Sequence, residues 1–80
     1  MILVDVQIPA LDRTYDFELD EETPVGELVE KIAQLIREKA RMPPETEKLC
    51  LYAFFKEKVL NEKLSLHQQG IETGEKLLLM

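Results

Sequence analysis

The stretch "TPVGELVEKIAQLIREKARMPP", Thr23 to Pro44, decides the fold, because its apolar residues repeat at helical spacing over several turns. Val25, Leu28, Val29, Ile32, Leu35 and Ile36 follow an i, i+3, i+4 pattern and make one apolar stripe. Thr23 is placed to cap the helix and Pro24 to fill its first position. Asp20, Glu21 and Glu22 stand just ahead, where the helix dipole favours acids. The helix is expected to start near Thr23 and to end near Met42, since Pro43 disfavours helical backbone at the residue before it. Val25, Leu28, Val29, Ile32 and Ile36 should face a sheet. Gly26 breaks the pattern in the first turn, at up to about 1 kcal/mol relative to alanine, and nothing in the sequence accounts for it.

Upstream lies material for that sheet. In "ILVDVQI", Ile2, Val4, Val6 and Ile8 alternate with Leu3, Asp5 and Gln7. "PALDR" is a turn-like break. In "TYDFELD", Tyr15, Phe17 and Leu19 alternate with Asp16, Glu18 and Asp20. Two alternating runs around a short turn read as a hairpin with one apolar face.

Downstream, "KLCLYAFF" reads as a strand with Leu49 and Leu51 on one side and Cys50 and Tyr52 on the other. The adjoining Phe54 and Phe55 allow a bulge. "KEK" is a polar turn, "VL" a short strand and "NEK" a loop. "SLHQQGI" reads as one helical turn, capped by Ser65 and closed by Gly70. "ETGE" then turns into a last strand, Lys76–Met80. The expected order is β-β-α-β-β-(helical turn)-β: an α+β fold, a mixed five-stranded sheet with one long helix across its apolar face.

Composition narrows the work this chain can do. Eighty residues, 45% hydrophobic and 32% charged, fit one small globular domain spanning 1–80. No apolar run reaches the roughly 18 residues of a membrane span, and "MILVDVQI" meets Asp5 too early for a signal peptide. The expected address is the cytoplasm, without direct membrane insertion. Net charge is −6, and residues 1–30 hold nine of the sixteen acids and only one base, Arg13. That argues against nucleic acid, whose affinity comes from Lys and Arg neutralising phosphates. "REKAR" (Arg37–Arg41) reads as bases at the negative end of the helix dipole.

Nothing in the sequence points to catalysis. Cys50 would need a lowered pKa to act as a nucleophile, and the only imidazole is His67. Both read as ordinary residues, a small strand side chain and a solvated histidine. Asp16, Glu18 and Asp20 share a strand face but lack the glycine turn and closing glutamate of a calcium loop. No glycine-rich phosphate loop is present. No enzyme activity, cofactor or metal is expected.

The order of elements resembles the ubiquitin fold, a β-grasp. In that superfamily the covering helix runs into an "xPP" turn, as at "MPP" (Met42–Pro44), and a leucine, a short helical turn and an isoleucine follow later, as in "LHQQGI" (Leu66–Ile71). Within it the chain is most similar to the YukD-like proteins of bacterial type VII secretion systems. The long helix, the "KEKVL" turn and strand, and the ending "GIETGEKLLLM" carry that likeness. The resemblance places the last strand in mid-sheet beside the first, which accounts for its apolar "LLLM". It also implies no conjugation: ubiquitin's flexible Gly-Gly arm has no counterpart, as Gly26, Gly70 and Gly74 are all internal.

By the same resemblance, the chain is a non-catalytic interaction module, a cytosolic accessory of a type VII secretion machine. Its partner would be a protein, the cytoplasmic part of a membrane component of that machine. The alternative is a small ubiquitin-fold subunit of a multicomponent enzyme such as a di-iron monooxygenase. Ubiquitin carries an apolar patch on its exposed sheet face; the counterparts here are Leu3, Cys50, Leu78 and Met80, with Leu11 nearby and Tyr52 at the rim, Cys50 being near the centre. Such a group is a recognition surface, ordinary scattered exposure or a dimer contact; the sequence leaves these open, and the oligomeric state with them.

Overall fold

Strands β1 (Ile2–Ile8) and β2 (Arg13–Leu19) pair antiparallel in unbroken register, from Ile2 opposite Leu19 to Ile8 opposite Arg13. Between them "PAL" makes a single 3-10 turn closed by Asp12 in the left-handed region (φ 51°), whose N–H donates to the Pro9 carbonyl at 3.1 Å. Aspartate tolerates that conformation better than most residues. The computed structural model describes residues 1–40 and 49–80. The expected helix end at Met42 and the "MPP" turn lie outside the described residues.

Helix α1 (Val25–Ala40) buries Val25, Leu28, Val29, Ile32 and Ile36, as the periodicity predicts. Leu35 departs from the expected stripe and is 44% exposed, because the buried face runs through Ala33 instead. The cap also differs. Pro24 supplies the capping carbonyl, accepting from the N–H groups of Glu27 (3.0 Å) and Leu28 (3.3 Å). Thr23 instead hydrogen-bonds the Asp20 carboxylate, which also accepts the Glu22 N–H at 2.9 Å. The first two helical N–H groups are satisfied from far along the chain. Val25 donates to the Leu64 carbonyl and Gly26 to the Glu62 carbonyl, each at 2.9 Å.

That contact explains Gly26. A Cβ at this position would lie 3.2 Å from the Glu62 carbonyl oxygen and 3.4 Å from its Cβ. Elsewhere in a helix glycine-to-alanine gains up to about 1 kcal/mol. Here the methyl group presses on the loop that caps the helix, and crowding of this kind typically costs ~1–3 kcal/mol. Gly26→Ala is therefore expected to lower Tm in a circular dichroism melt. A higher Tm would show that the loop yields freely.

The sheet order is β2-β1-β5-β3-β4, with β5 (Lys76–Leu79) parallel to β1 and antiparallel to β3 (Leu51–Ala53). A central strand is covered on its helix side, so Leu77 and Leu79 are buried while Lys76 and Leu78 point outward, half-buried. Strand β4 (Lys58–Val59) pairs with β3. No bulge forms at Phe54 and Phe55. The chain reverses there in a tight turn, with the Glu57 N–H donating to the Phe54 carbonyl at 3.3 Å and Glu57 at φ 51°.

The segment from Asn61 to Ile71 is tied together by its own polar groups. Ser65 and Gln68 exchange bonds, Gln68 N–H to Ser65 Oγ (3.1 Å) and Ser65 N–H to Gln68 Oε1 (2.9 Å), a capping box at the head of the 3-10 turn His67–Gln69. Gly70 closes it in the left-handed region (φ 74°), as expected of a glycine in that place. Gln69 clamps the loop, accepting from Asn61 N–H at 2.7 Å and donating to the Asn61 carbonyl at 2.9 Å. Leu66 and Ile71 anchor the segment in the core.

Candidate interaction surface

Helix α1 covers one face of the sheet, and the opposite face carries the residues the sequence singles out. Because side chains alternate along a strand, the inward set Val4, Val6, Ile8, Leu51, Ala53, Leu77 and Leu79 is buried. The same alternation places Leu3, Asp5, Gln7, Asp16, Glu18, Tyr52, Lys76 and Leu78 outward.

Register sorts the outward residues into rows. Thr14, Gln7, Leu78, Tyr52 and Val59 form one row across all five strands. Beside it, Cys50 and Met80 exchange backbone bonds, Cys50 N–H to Met80 O at 2.7 Å and Met80 N–H to Cys50 O at 3.1 Å. On the other side, Asp16, Asp5 and Lys76 make a charged row. The Lys76 ammonium lies over the Phe54 ring, 5.2 Å from its centroid, and Phe54 packs edge-on to Tyr52. Leu78, Tyr52, Val59, Cys50 and Met80 therefore make one apolar group on β3, β4 and β5, with Val59 54% and Met80 48% exposed.

Three of the expected positions change meaning. Cys50 is not central: it precedes β3 and lies at the end of the face, with Leu78 and Tyr52 at the middle. Leu3 shares the face but not the group. It pairs with Glu18, and it lies four positions along β1 from Gln7, the neighbour of Leu78, a span of about 13 Å. Leu11 packs half-buried against the hydrophobic core. Val59 was not foreseen, because a two-residue edge strand gives no alternation to read.

The thiol and the imidazole are far apart in the topology. Cys50 and Met80 lie beyond the Gln7 end of β1. His67 lies at its start, where its backbone N–H donates to the Glu21 carbonyl and the Glu21 carboxylate meets the Met1 amino group at 2.8 Å. Among the described residues no three His, Cys, Asp or Glu side chains are grouped to hold a metal ion. Nor is any helix there long and apolar enough to cross a membrane.

The acidic half has its own electrostatics. Asp5 and Asp16 are directly opposite across β1 and β2, and Asp16 is held above the ordinary aspartate value by a hydrogen bond shared with Asp5 and by the repulsion of that carboxylate. A carboxylate whose pKa rises on folding favours the native state below its ordinary pKa and opposes it once pH passes the raised value. Asp16→Asn is thus expected to raise Tm near neutral pH, with the gain over wild type vanishing on acidification. Asp20 and Glu21, whose pKa values are lowered, respectively, by the Glu22 N–H and the Met1 ammonium, lose stability as pH falls in both proteins and cancel in the comparison. A gain that persists at acid pH would remove the repulsion as its cause.

Ubiquitin-like domains are among the solved structures similar to this chain. The EccD5 ubiquitin-like domain from Mycobacterium xenopi superposes with a TM-score of 0.81 at 17% identity, over 99% of this chain and 91% of that one. A ubiquitin-like domain of an Arabidopsis thaliana protein gives 0.72 at 20% identity, over 99% and 74%. A protein designed on the basis of ubiquitin gives 0.70 at 22%, over 99% and 85%. At such identities the likeness establishes the β-grasp fold. No curated protein sequence matches the chain. The family model described as "WXG100 protein secretion system (Wss), protein YukD" matches residues 3–79. With sheet order, covering helix and nearly the whole sequence in agreement, the chain belongs to the YukD family, ubiquitin-like proteins associated with type VII secretion.

Proposed function

We propose that the chain is a non-catalytic interaction module acting in the cytoplasm as an accessory of the type VII secretion machine. The observation that carries this reading is the family match across residues 3–79. The binding surface is the apolar group centred on Leu78 and Tyr52, where uncharged side chains lie together on an otherwise charged protein. Its partner is the cytoplasmic part of a membrane component of that machine. On this reading the module acts by binding its partner rather than by being conjugated to a target.

Leu78→Arg tests it. Arginine at an outward position of β5 keeps its charge in water when the chain is free, so Tm should change little. Against a partner the same charge is desolvated without a counterion, a loss of roughly 2–5 kcal/mol of binding. Wild type captured from native lysate should bring down a secretion-machine component identifiable by mass spectrometry. Leu78→Arg and Cys50→Arg, both folded, should not. Equal recovery by all three would place binding elsewhere, and recovery of hydroxylase subunits would replace the secretion reading with that of an enzyme subunit.

A further inference from the structure

Strand β2 is an edge of the sheet: it pairs with β1 on one side, and among the described residues no strand pairs with its other side. Seven residues of edge present alternate unpaired N–H and C=O groups, which can template a further strand. Two chemistries flank this edge. On the helix side, Tyr15 and Phe17 lie opposite Val6 and Val4. The valines are 0% and 1% exposed, whereas both rings are only half-buried, tilted together with centroids 6.2 Å apart. The helix cover thus stops short of the edge and leaves an aromatic ledge. On the outer side, Asp16 and Glu18 point to solvent, backed by Asp5.

We propose that this edge is a docking site for an extended basic segment of a partner protein, which joins the sheet beside β2 with apolar residues on the Tyr15–Phe17 ledge and Lys or Arg against Asp16 and Glu18. Alternation in the ligand follows from the pleat, since successive side chains of an added strand fall on opposite faces. A second copy of this chain does not fit, because antiparallel pairing of two β2 strands would set carboxylates against carboxylates, and like charges across strands repel. The site is separate from the Leu78–Tyr52 group and stands whether or not that surface binds anything.

The test uses isotope-labelled protein and two synthetic heptapeptides of lysine and valine with the same composition, one alternating and one with the lysines in a block. The alternating peptide should shift the amide resonances of residues 13–19 and slow their hydrogen exchange. The blocked peptide should bind about tenfold more weakly or not at all, as charge alone does not order a strand. Asp16→Lys combined with Glu18→Lys should abolish binding of the alternating peptide and confer binding of an alternating glutamate–valine peptide. That rescue separates lost recognition from lost folding. Equal binding of both lysine peptides, shifts confined to β3 and β5, or no binding by wild type would each overturn the proposal.

Discussion

Ile32→Asp is expected to leave the chain largely unfolded at room temperature. Ile32 lies in the middle of α1 and is 0% exposed, enclosed by the core that includes Val4, Val6, Leu51, Leu66 and Leu77. Losing the isoleucine forfeits about 1.5–3 kcal/mol of apolar burial. Its replacement brings a carboxylate into the core with no cation to meet it, since the buried polar residues among those described are Ser65 and Glu75. Burying an unpaired charge costs several kcal/mol more, or forces protonation. Together these rival the whole stability of a small domain, about 5–15 kcal/mol and toward the low end at this length. Ile32→Val is the control, costing about 0.5–1.5 kcal/mol and staying folded. A denaturant titration of Ile32→Asp that overlays wild type would mean that α1 buries a different face.

The second large effect is expected at Leu66. This residue precedes the short 3-10 turn, in a segment that is otherwise mostly polar, and it is 0% exposed. Leu66→Ala should cost roughly 2–5 kcal/mol from lost burial and the cavity left behind. The upper half of that range applies, because Leu66 also secures the loop whose Glu62 and Leu64 carbonyls cap the helix. The readout is native-state hydrogen exchange with denaturant titration. The Val25 and Gly26 amides should lose protection beyond the global loss, as their acceptors move away. Loss of global stability with those two amides still relatively protected would show that the cap stands without Leu66.

Much of this architecture was legible in the residues. The hairpin and the long helix follow from two periodicities, 2 and 3.6, and the last strand from an apolar run after a turn, all of which depend on each residue's near neighbours. Ser65 and Gly70 were legible as the ends of a helical turn for the same reason: capping bonds span three or four residues. The misses share a different cause. Leu35 fits the helical stripe but lies outside the area the sheet can cover. Thr23 has the chemistry of a cap, yet its hydroxyl bonds Asp20, and the exposed helical amides find acceptors nearly forty residues away.

The candidate surface divides along the same line. Alternation sets Leu3 apart from Val4 and Val6, and Cys50 and Tyr52 apart from Leu51, while the outward place of Leu78 came from the resemblance to ubiquitin, since "LLLM" shows no alternation to read. Which of them touch is a matter of register between strands distant in sequence. The pairing of Gln7 with Leu78, Tyr52 with Leu78 and Tyr52 with Val59 gathers the apolar group on β3, β4 and β5, and the pairing of Leu3 with Glu18 sets that leucine among acids. Gly26 follows the same rule: as a local choice it only weakens a helix, and its reason is the Glu62 carbonyl 3.2 Å from where a Cβ would stand. The sequence by itself determined the elements and their buried faces, because propensity and periodicity are short-range. The tertiary structure alone decided the helix cap, the grouping of the surface and the open edge at β2, because each depends on chain segments that meet only after the sheet has assembled.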